Sequence, residues 1–361
     1  MTPPKPIRLL IVDDSALVRK MLTAALAGDK GIEVVGTAPD AFIARDKILA
    51  LNPDVITLDI EMPRMDGITF LKKLMRFRPL PVIVISSLGH AACEASLEAL
   101  RAGAVEILCK PDGPCSVGEL GVTLGEKIRA TAAAHVTPRR KDGDVASAVS
   151  ATALGSPPSG LSPTTQFARD KIIVIGASTG GPGAVAEVLA GFPANSPPIL
   201  VVQHMPPIFT AHFAARLNQD CKISVKEAED GDELLPGRAL IAPGNFHMTL
   251  RQAESGYRVR VDTGPQVCFS RPSVDVLFYS VSDIARKKAI GVLLTGMGSD
   301  GARGLLEMRN HGATTFAQNE ESCVVFGMPK EAIRIGAVET VLPLRHIASA
   351  ILRQAMLTPA A

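Results

Sequence analysis

The chain has 361 residues, with 38 basic and 36 acidic side chains, a net charge of +2, two Tyr and no Trp. Near-neutral charge without stacking aromatics argues against a surface that tracks nucleic acid. A hydrophobic content of 47% excludes a disordered or collagen-like chain. At roughly 100–200 residues per domain, this length predicts two or three domains. No apolar run approaches the roughly 20 residues of a membrane helix. The N-terminal apolar run Leu9–Val12 stops at once in Asp13-Asp14, too early for a signal peptide. These features predict a cytoplasmic protein without membrane insertion. The six cysteines form no C-x-x-C pair and no His-rich cluster, which argues against structural zinc and for reduced thiols.

In chain order, the short β-branched runs Ile7–Val12, Val55–Leu58, Pro81–Ile85 and Glu106–Cys109 alternate with helical stretches such as Ala16–Ala27 and Cys93–Ala102. A stretch rich in Ala, Ser, Gly and Pro follows, including SAVSATALGSPPSGLS at Ser147–Ser162. It has too little apolar surface to offset the entropy of ordering it. Beyond it, Lys171–Ile175, Ile199–Val202 and Ala289–Leu294 read as buried strands, each followed by a loop and a helical segment. The expected division is a first domain over 5–130, a flexible linker over 131–169 and a second domain over 170–358. Alternating strands and helices imply α/β domains with parallel sheets and right-handed crossovers. Sites in such sheets lie at the carboxyl ends of the strands.

In the first domain those ends carry Asp13 and Asp14, Asp59, Ser86 and Lys110. Each is unremarkable alone, since an aspartate here can simply cap the next helix and a lysine can simply be solvated. Together they suit Mg²⁺, which takes carboxylate, water and phosphate oxygens, beside a carboxylate that can attack a phosphoryl group.

In the second domain the first strand runs into Gly176-Ala-Ser178-Thr-Gly180-Gly181-Pro182-Gly183, a strand-to-helix turn that places Ser178 near a helix N-terminus. The next strand ends in Gln203-His204-Met205, and a third runs into Thr295-Gly-Met297-Gly-Ser-Asp300-Gly. A serine nucleophile needs a base, and the base needs a group that holds its tautomer. His204 and Asp300 are the candidates, although Asp300 could be a plain helix cap and His204 a core histidine. Gly-x-Ser-x-Gly is also the elbow of α/β-hydrolases, but their acid precedes their histidine, which here would require His311 or His346. A dinucleotide site would need an acidic residue where Gln203-His204 stands. His212, His247 and His311 read as structural.

Residues 7–125, with IVDDS, LDIEMPRMDG, VISS and CKP, resemble a response-regulator receiver domain. The resemblance implies a flavodoxin-like fold with Asp59 as phosphoacceptor. Asp13, Asp14, Asp59 and the carbonyl of Glu61 would hold Mg²⁺, and Ser86 and Lys110 would form the switching pair. Ile107 stands where receivers usually carry an aromatic, so no ring rotation belongs to this switch. Residues 171–355, with IGASTGGP, VVQHMP, IAPGNFHM, SRPSVDVLF, LLTGMGSDGA and AQNEESCVVFGMP, resemble the catalytic domain of chemotaxis receptor methylesterases. That family implies a doubly wound, mostly parallel α/β fold with the triad Ser178, His204 and Asp300. It also implies an oxyanion amide at Met297 and a supporting role for Thr179.

The implied function is phosphorylation-activated demethylation of glutamate γ-methyl esters on chemoreceptors, with deamidation of receptor glutamines, in chemotaxis adaptation. A histidine kinase of the chemotaxis type would donate the phosphoryl group, and the esterase step itself would need no cofactor. The unphosphorylated receiver is expected to restrict access to Ser178. Two other readings remain: a receiver-regulated hydrolase of another ester, and a non-catalytic, receiver-gated binding module.

Overall fold

Runs of β-branched residues, buried on both faces, build two separate parallel sheets, because only a sheet covered by helices on both sides can accept such runs. The computed structural model describes residues 5–87, 89–110, 117–134, 167–168 and 170–356. The chain divides into one unit over Met1–Lys141 and another over Asp142–Ala361. Most of the expected linker, 135–166 with 169, lies outside the described residues.

The first unit alternates β1 (Ile7–Val12), α1 (Ala16–Leu26), β2 (Ile32–Ala38), α2 (Ala41–Leu51), β3 (Val55–Asp59) and α3 (Gly67–Phe77). It continues with β4 (Val82–Ser86), α4 (His90–Ala102), β5 (Glu106–Cys109) and α5 (Val117–Ala132). The strands pair in parallel in the order β2-β1-β3-β4-β5. This flavodoxin-like order reverses between β1 and β3, the place where such sheets bind their ligands. Leu9, Ile11, Val55, Ile83 and Ile85 meet Leu22, Leu26, Leu124 and Ile128 in one core. Ser15, not Asp13 or Asp14, caps α1 by accepting from the Val18 amide, which leaves the two acids for other work.

The second unit contains β6 (Ile172–Ala177), α6 (Gly181–Ala190), β7 (Ile199–Gln203), α7 (Phe209–Asp220), β8 (Ser224–Glu227) and β9 (Arg238–Ile241). An antiparallel hairpin follows, β10 (His247–Gln252) with β11 (Tyr257–Asp262), and then α8 (Val274–Ala285) and β12 (Ala289–Leu293). The last elements are α9 (Ala302–Asn310), β13 (Thr314–Gln318), α10 (Met328–Arg334), β14 (Thr340–Leu342) and α11 (Leu344–Ala355).

Seven strands pair in parallel in the order β14-β13-β12-β6-β7-β9-β8, so the sheet is doubly wound from β6 outward. On one face Val174, Leu200, Val202 and Leu293 pack against Val274, Leu277, Phe278 and Val281 of α8. Phe167 bridges Met356, and the Ala168 amide donates to the Ala355 carbonyl, so these two residues belong to this unit. The decisive feature is the neighbourhood β12-β6-β7, which brings three sequence-distant strand ends to one edge. Among the described residues no helix is long and apolar enough to cross a membrane.

Candidate active site

Ser178 follows β6 directly and is 3% exposed. Its amide donates to the Thr295 carbonyl at 3.0 Å, and its own carbonyl accepts from the Gly181 amide at 2.7 Å and from Gln203 Nε2 at 2.8 Å. Both backbone polar groups are therefore used to hold the turn. Gly180 turns the chain into α6 at φ +75°, a left-handed conformation that a side chain at this position would resist.

His204 follows β7, and its Nδ1 lies 3.2 Å from Ser178 Oγ. Its Nε2 lies 2.8 Å from Asp300 Oδ2. The serine thus faces Nδ1 and the acid faces Nε2, the reverse of the nitrogen assignment in the chymotrypsin template. An ionised Asp300 can only accept, so the proton sits on Nε2 and the Nδ1 lone pair points at the serine.

Asp300 is 2% exposed and does not cap α9; Gly301 does, without a side-chain bond. The carboxylate instead accepts four hydrogen bonds. Ser273 Oγ (2.8 Å) and the Asp275 amide (2.9 Å) reach Oδ1, while the Val274 amide (2.7 Å) and His204 Nε2 reach Oδ2. Two of those donors are backbone amides in the first turn of α8, where the helix dipole favours negative charge. Burial works to raise the Asp300 pKa, but the bond to His204, its charge and the Asp275 and Val274 amides outweigh it. The carboxyl is held below its ordinary 3.8.

Met297 and Thr179 flank the serine. Gly296, just before Met297, packs so closely that an added Cβ would stand 2.7 Å from Ser178 Cβ. Among the described residues the Met297 amide donates to nothing, which leaves it available to an oxyanion beside Ser178. Thr179 is fully buried, and its carbonyl accepts from Thr295 Oγ1 at 3.0 Å. Thr295 therefore ties the serine loop to the loop that carries Met297 and Asp300.

Three residues escaped the sequence reading of this site. Ser273 donates to Asp300. His247, read as structural, is 3% exposed and accepts the Ser273 amide on Nδ1 at 3.2 Å, so it steadies the residue behind the acid. Ser270 Oγ lies 3.4 Å from His204 Nδ1, on the atom that faces Ser178. Ser270 and Ser273 both fall in the motif SRPSVDVLF, which was the available signal. The rival histidines are elsewhere: His311 bonds Ser282 Oγ at 2.7 Å, and His346 lies in α11 beside Arg345. Neither is bonded to Ser178.

In the first unit the strand-end cluster also assembles. Lys110 Nζ lies 2.8 Å from Asp59 Oδ2 and 3.3 Å from Asp13 Oδ2. Asp13, Asp14 and Asp59 offer oxygens all within 4.8 Å of one another. Burial, together with the charge of Asp13, raises Asp59 to about 6 against the Lys110 hydrogen bond that opposes it. Asp13 is raised too, chiefly by burial and against the Lys110 charge that it shares with Asp59. Three carboxylates that converge on a single ammonium leave excess negative charge and fit a divalent cation.

Glu61 is exposed, and its amide donates to Asp59 Oδ1 at 3.2 Å, which keeps its carbonyl one peptide from the cluster. Ser86 ends β4 beside Cys109 of β5, but its hydroxyl turns to the carbonyls of Ser87 (3.3 Å) and Ala92 (3.4 Å) and makes no bond to Asp59. Ile107 is buried in β5.

Fold and geometry together outline a class: a doubly wound sheet with a serine–histidine–aspartate line at its strand ends, in a chain that also carries a receiver-type unit. Known proteins narrow it. The CheB methylesterase family matches residues 173–351, and the response regulator receiver domain matches residues 9–117. A protein-glutamate methylesterase/protein-glutamine glutaminase of Syntrophus aciditrophicus is 54% identical over 96% of this chain and 98% of its own. A protein of the same name from Yersinia pestis is 49% identical over 96% of this chain and 97% of its own. The crystallised catalytic domain of Thermotoga maritima CheB methylesterase is 43% identical with a TM-score of 0.50, covering 51% of this chain and 97% of that one. The chain belongs to the CheB family of receiver-linked protein-glutamate methylesterases, and it is a hydrolase of the chemotaxis response-regulator type.

Proposed function

We propose that Ser178, His204 and Asp300 hydrolyse the γ-methyl ester of chemoreceptor glutamates, and that phosphorylation of Asp59 raises this activity. The observation that carries the reading is the unbroken line Ser178 Oγ–His204–Asp300 across three adjacent strand ends. Ser178 Oγ attacks the ester carbonyl while its proton passes to His204 Nδ1. The negative oxygen of the tetrahedral intermediate is met by the Met297 amide. Collapse breaks the C–O bond, and the proton on Nδ1 leaves with the departing methoxide as methanol. Water then gives a proton to Nδ1 and attacks the acyl-serine, releasing the glutamate carboxylate and restoring Ser178. A glutamine side chain would follow the same course with ammonia as leaving group. Asp300 stays ionised throughout and stabilises the imidazolium, while Thr179 and Thr295 hold the serine loop.

In the receiver, Asp13, Asp14, Asp59 and the Glu61 carbonyl would hold Mg²⁺. That ion, when bound, supplies charge balance to a transferring phosphoryl group. Asp59 accepts the phosphoryl group from a histidine kinase of the chemotaxis type, and Lys110 neutralises one of its oxygens. Ser86, released from the Ala92 carbonyl, then takes another oxygen and shifts its loop, a population shift rather than new chemistry. A cytoplasmic location belongs to the same reading.

The test is methanol release from previously methylated receptor membranes, with Mg²⁺ and a small phosphodonor. Release should rise with the phosphodonor, vanish in Ser178→Ala, and lose only its phosphodonor response in Asp59→Ala. Undiminished release from folded Ser178→Ala would overturn the assignment.

A further inference from the structure

Phe269 is 84% exposed, the most exposed large hydrophobic side chain among the described residues. It stands on a two-residue turn closed by the bonds Val267 N to Ser270 O (3.1 Å) and Ser270 N to Val267 O (2.9 Å). Both central residues are left-handed, Cys268 at φ +50° and Phe269 at φ +59°. A two-residue turn of this shape ordinarily takes Asn-Gly, and neither cysteine nor phenylalanine adopts it readily. A backbone held in this region persists only where its surroundings over-determine it, and such positions gather at binding and catalytic sites. The turn's end is also fixed at the chemistry, since Ser270 Oγ reaches His204 Nδ1 at 3.4 Å.

Two further loops join this turn. Arg271 binds Asn245 Oδ1 through Nε (3.1 Å) and Nη2 (2.7 Å), and the Asn245 amide returns to the Arg271 carbonyl at 3.0 Å. Asn245 is itself left-handed at φ +68°, and its neighbour Phe246 is 39% exposed. Gly244 packs against the Pro207 backbone, so closely that an added Cβ would stand 2.6 Å from Pro207 N. Ile208 follows, at φ +72° and 39% exposed, four residues beyond His204. Of the seven non-glycine residues with positive φ among those described, four lie on these three linked loops. Each loop carries one exposed apolar side chain at or next to a left-handed position.

Ser178 is almost wholly buried, so a protein substrate must reach it with one side chain while its backbone stays outside. Ser270, at the end of the Phe269 turn, lies beside His204, the partner of Ser178. We propose that Phe269, with Phe246 and Ile208, forms an apolar rim that grips the receptor segment carrying the esterified glutamate. These residues would determine specificity for a protein over a small ester and take no part in the chemistry. The proposal rests on the esterase reading of Ser178. Its strained frame fixes the backbone that carries the ring before binding, which limits the backbone entropy lost on docking.

The experiment uses the full chain and two substrates, methylated receptor membranes and N-acetylglutamate γ-methyl ester. Phe269→Ala should raise KM for the membranes by about five- to thirty-fold, the range of an interface anchor. Its kcat and its hydrolysis of the small ester should stay within about twofold of the parent. Phe269→Gly, which suits the left-handed turn, should lose the same receptor affinity while its Tm stays at or above the parent's. In a Ser178→Ala background, co-sedimentation with the same membranes should weaken by the same factor when Phe269 is also truncated. That binding arm reports on the rim even if the parent releases no methanol, so failure of the esterase reading and failure of the rim are separate results. Unchanged receptor KM and binding overturn the rim. Equal losses on both substrates overturn it in favour of a positioning role through Ser270. A rise in unphosphorylated activity with unchanged KM overturns it in favour of an inhibitory contact.

Discussion

Two aspartates, one in each unit, sit at the carboxyl ends of parallel strands under nearly equal burial. Asp59 is 1% exposed and Asp300 is 2% exposed, yet their pKa values move in opposite directions. Asp300 accepts four hydrogen bonds, two of them from backbone amides, so its charge is the best-satisfied state of that site. Asp59 receives one amide and one ammonium, and it shares that ammonium with Asp13. Burial therefore does not decide the state of a carboxylate; the number and kind of donors do. The satisfied acid suits a permanent role holding an imidazole. The under-satisfied one suits a group that waits for a cation and a phosphoryl group.

The largest loss is expected from Asp300→Asn. The new amide nitrogen would donate to His204 Nε2, moving the ring proton to Nδ1 and removing the base that faces Ser178. Ester hydrolysis should fall by about 10⁴-fold in kcat, by analogy with removal of the charge from the acid of a serine protease triad, while circular dichroism stays native. A loss below about tenfold would show that Asp300 does not fix the tautomer.

Ser273→Ala removes one of the four donors and leaves the rest. A hydrogen bond to a charged group contributes about 1.5–3 kcal/mol to stability, but this one is present in ground and transition states alike, so kcat should fall by less than about tenfold. The pH-rate profile should shift as well, because losing a donor makes the Asp300 carboxylate a stronger acceptor for the His204 N–H. No change in either would mean that the backbone amides alone suffice.

Asp275 shows the same contrast beside Asp300 itself. It is 3% exposed and raised to about 6, first by burial and then by the Asp300 charge, against amides from Gly304 and Gly301. Its folded pKa exceeds its ordinary 3.8, so the ionised form costs stability that grows from about pH 4 and is complete above about pH 6. Asp275→Asn keeps an oxygen for the Gly304 amide, which now donates at 2.7 Å. It should raise stability by about 1–3 kcal/mol at pH 7.5 and change it little at pH 4. A Tm difference independent of pH would refute this.

Both sites were legible in the sequence as residues, because parallel sheets put their functional side chains at strand ends and the motifs marked those ends. Ser178, His204 and Asp300 come together because β6 lies between β7 and β12. The five receiver residues gather at the β1/β3 switch and beside it, although Ser86 is turned to its own loop. Less legible was what surrounds them. His247 looked like the start of a hairpin, which it is, but only packing against the 273–275 turn gives it a place behind the acid. Ser270 and Ser273 stood in a noted motif without an assigned partner.

Two α/β units, the strand ends that carry chemistry and the residue types needed for acyl and phosphoryl transfer can be read from the chain alone. These follow from local patterning: β-branched runs, turn glycines and capping residues act within a few positions of themselves. Only the tertiary structure decided which imidazole nitrogen faces Ser178, which four donors keep Asp300 ionised and which exposed ring stands beside the cleft. Those depend on bonds between residues 25 to 96 positions apart, and such contacts exist only once the sheet has set the order of its strands.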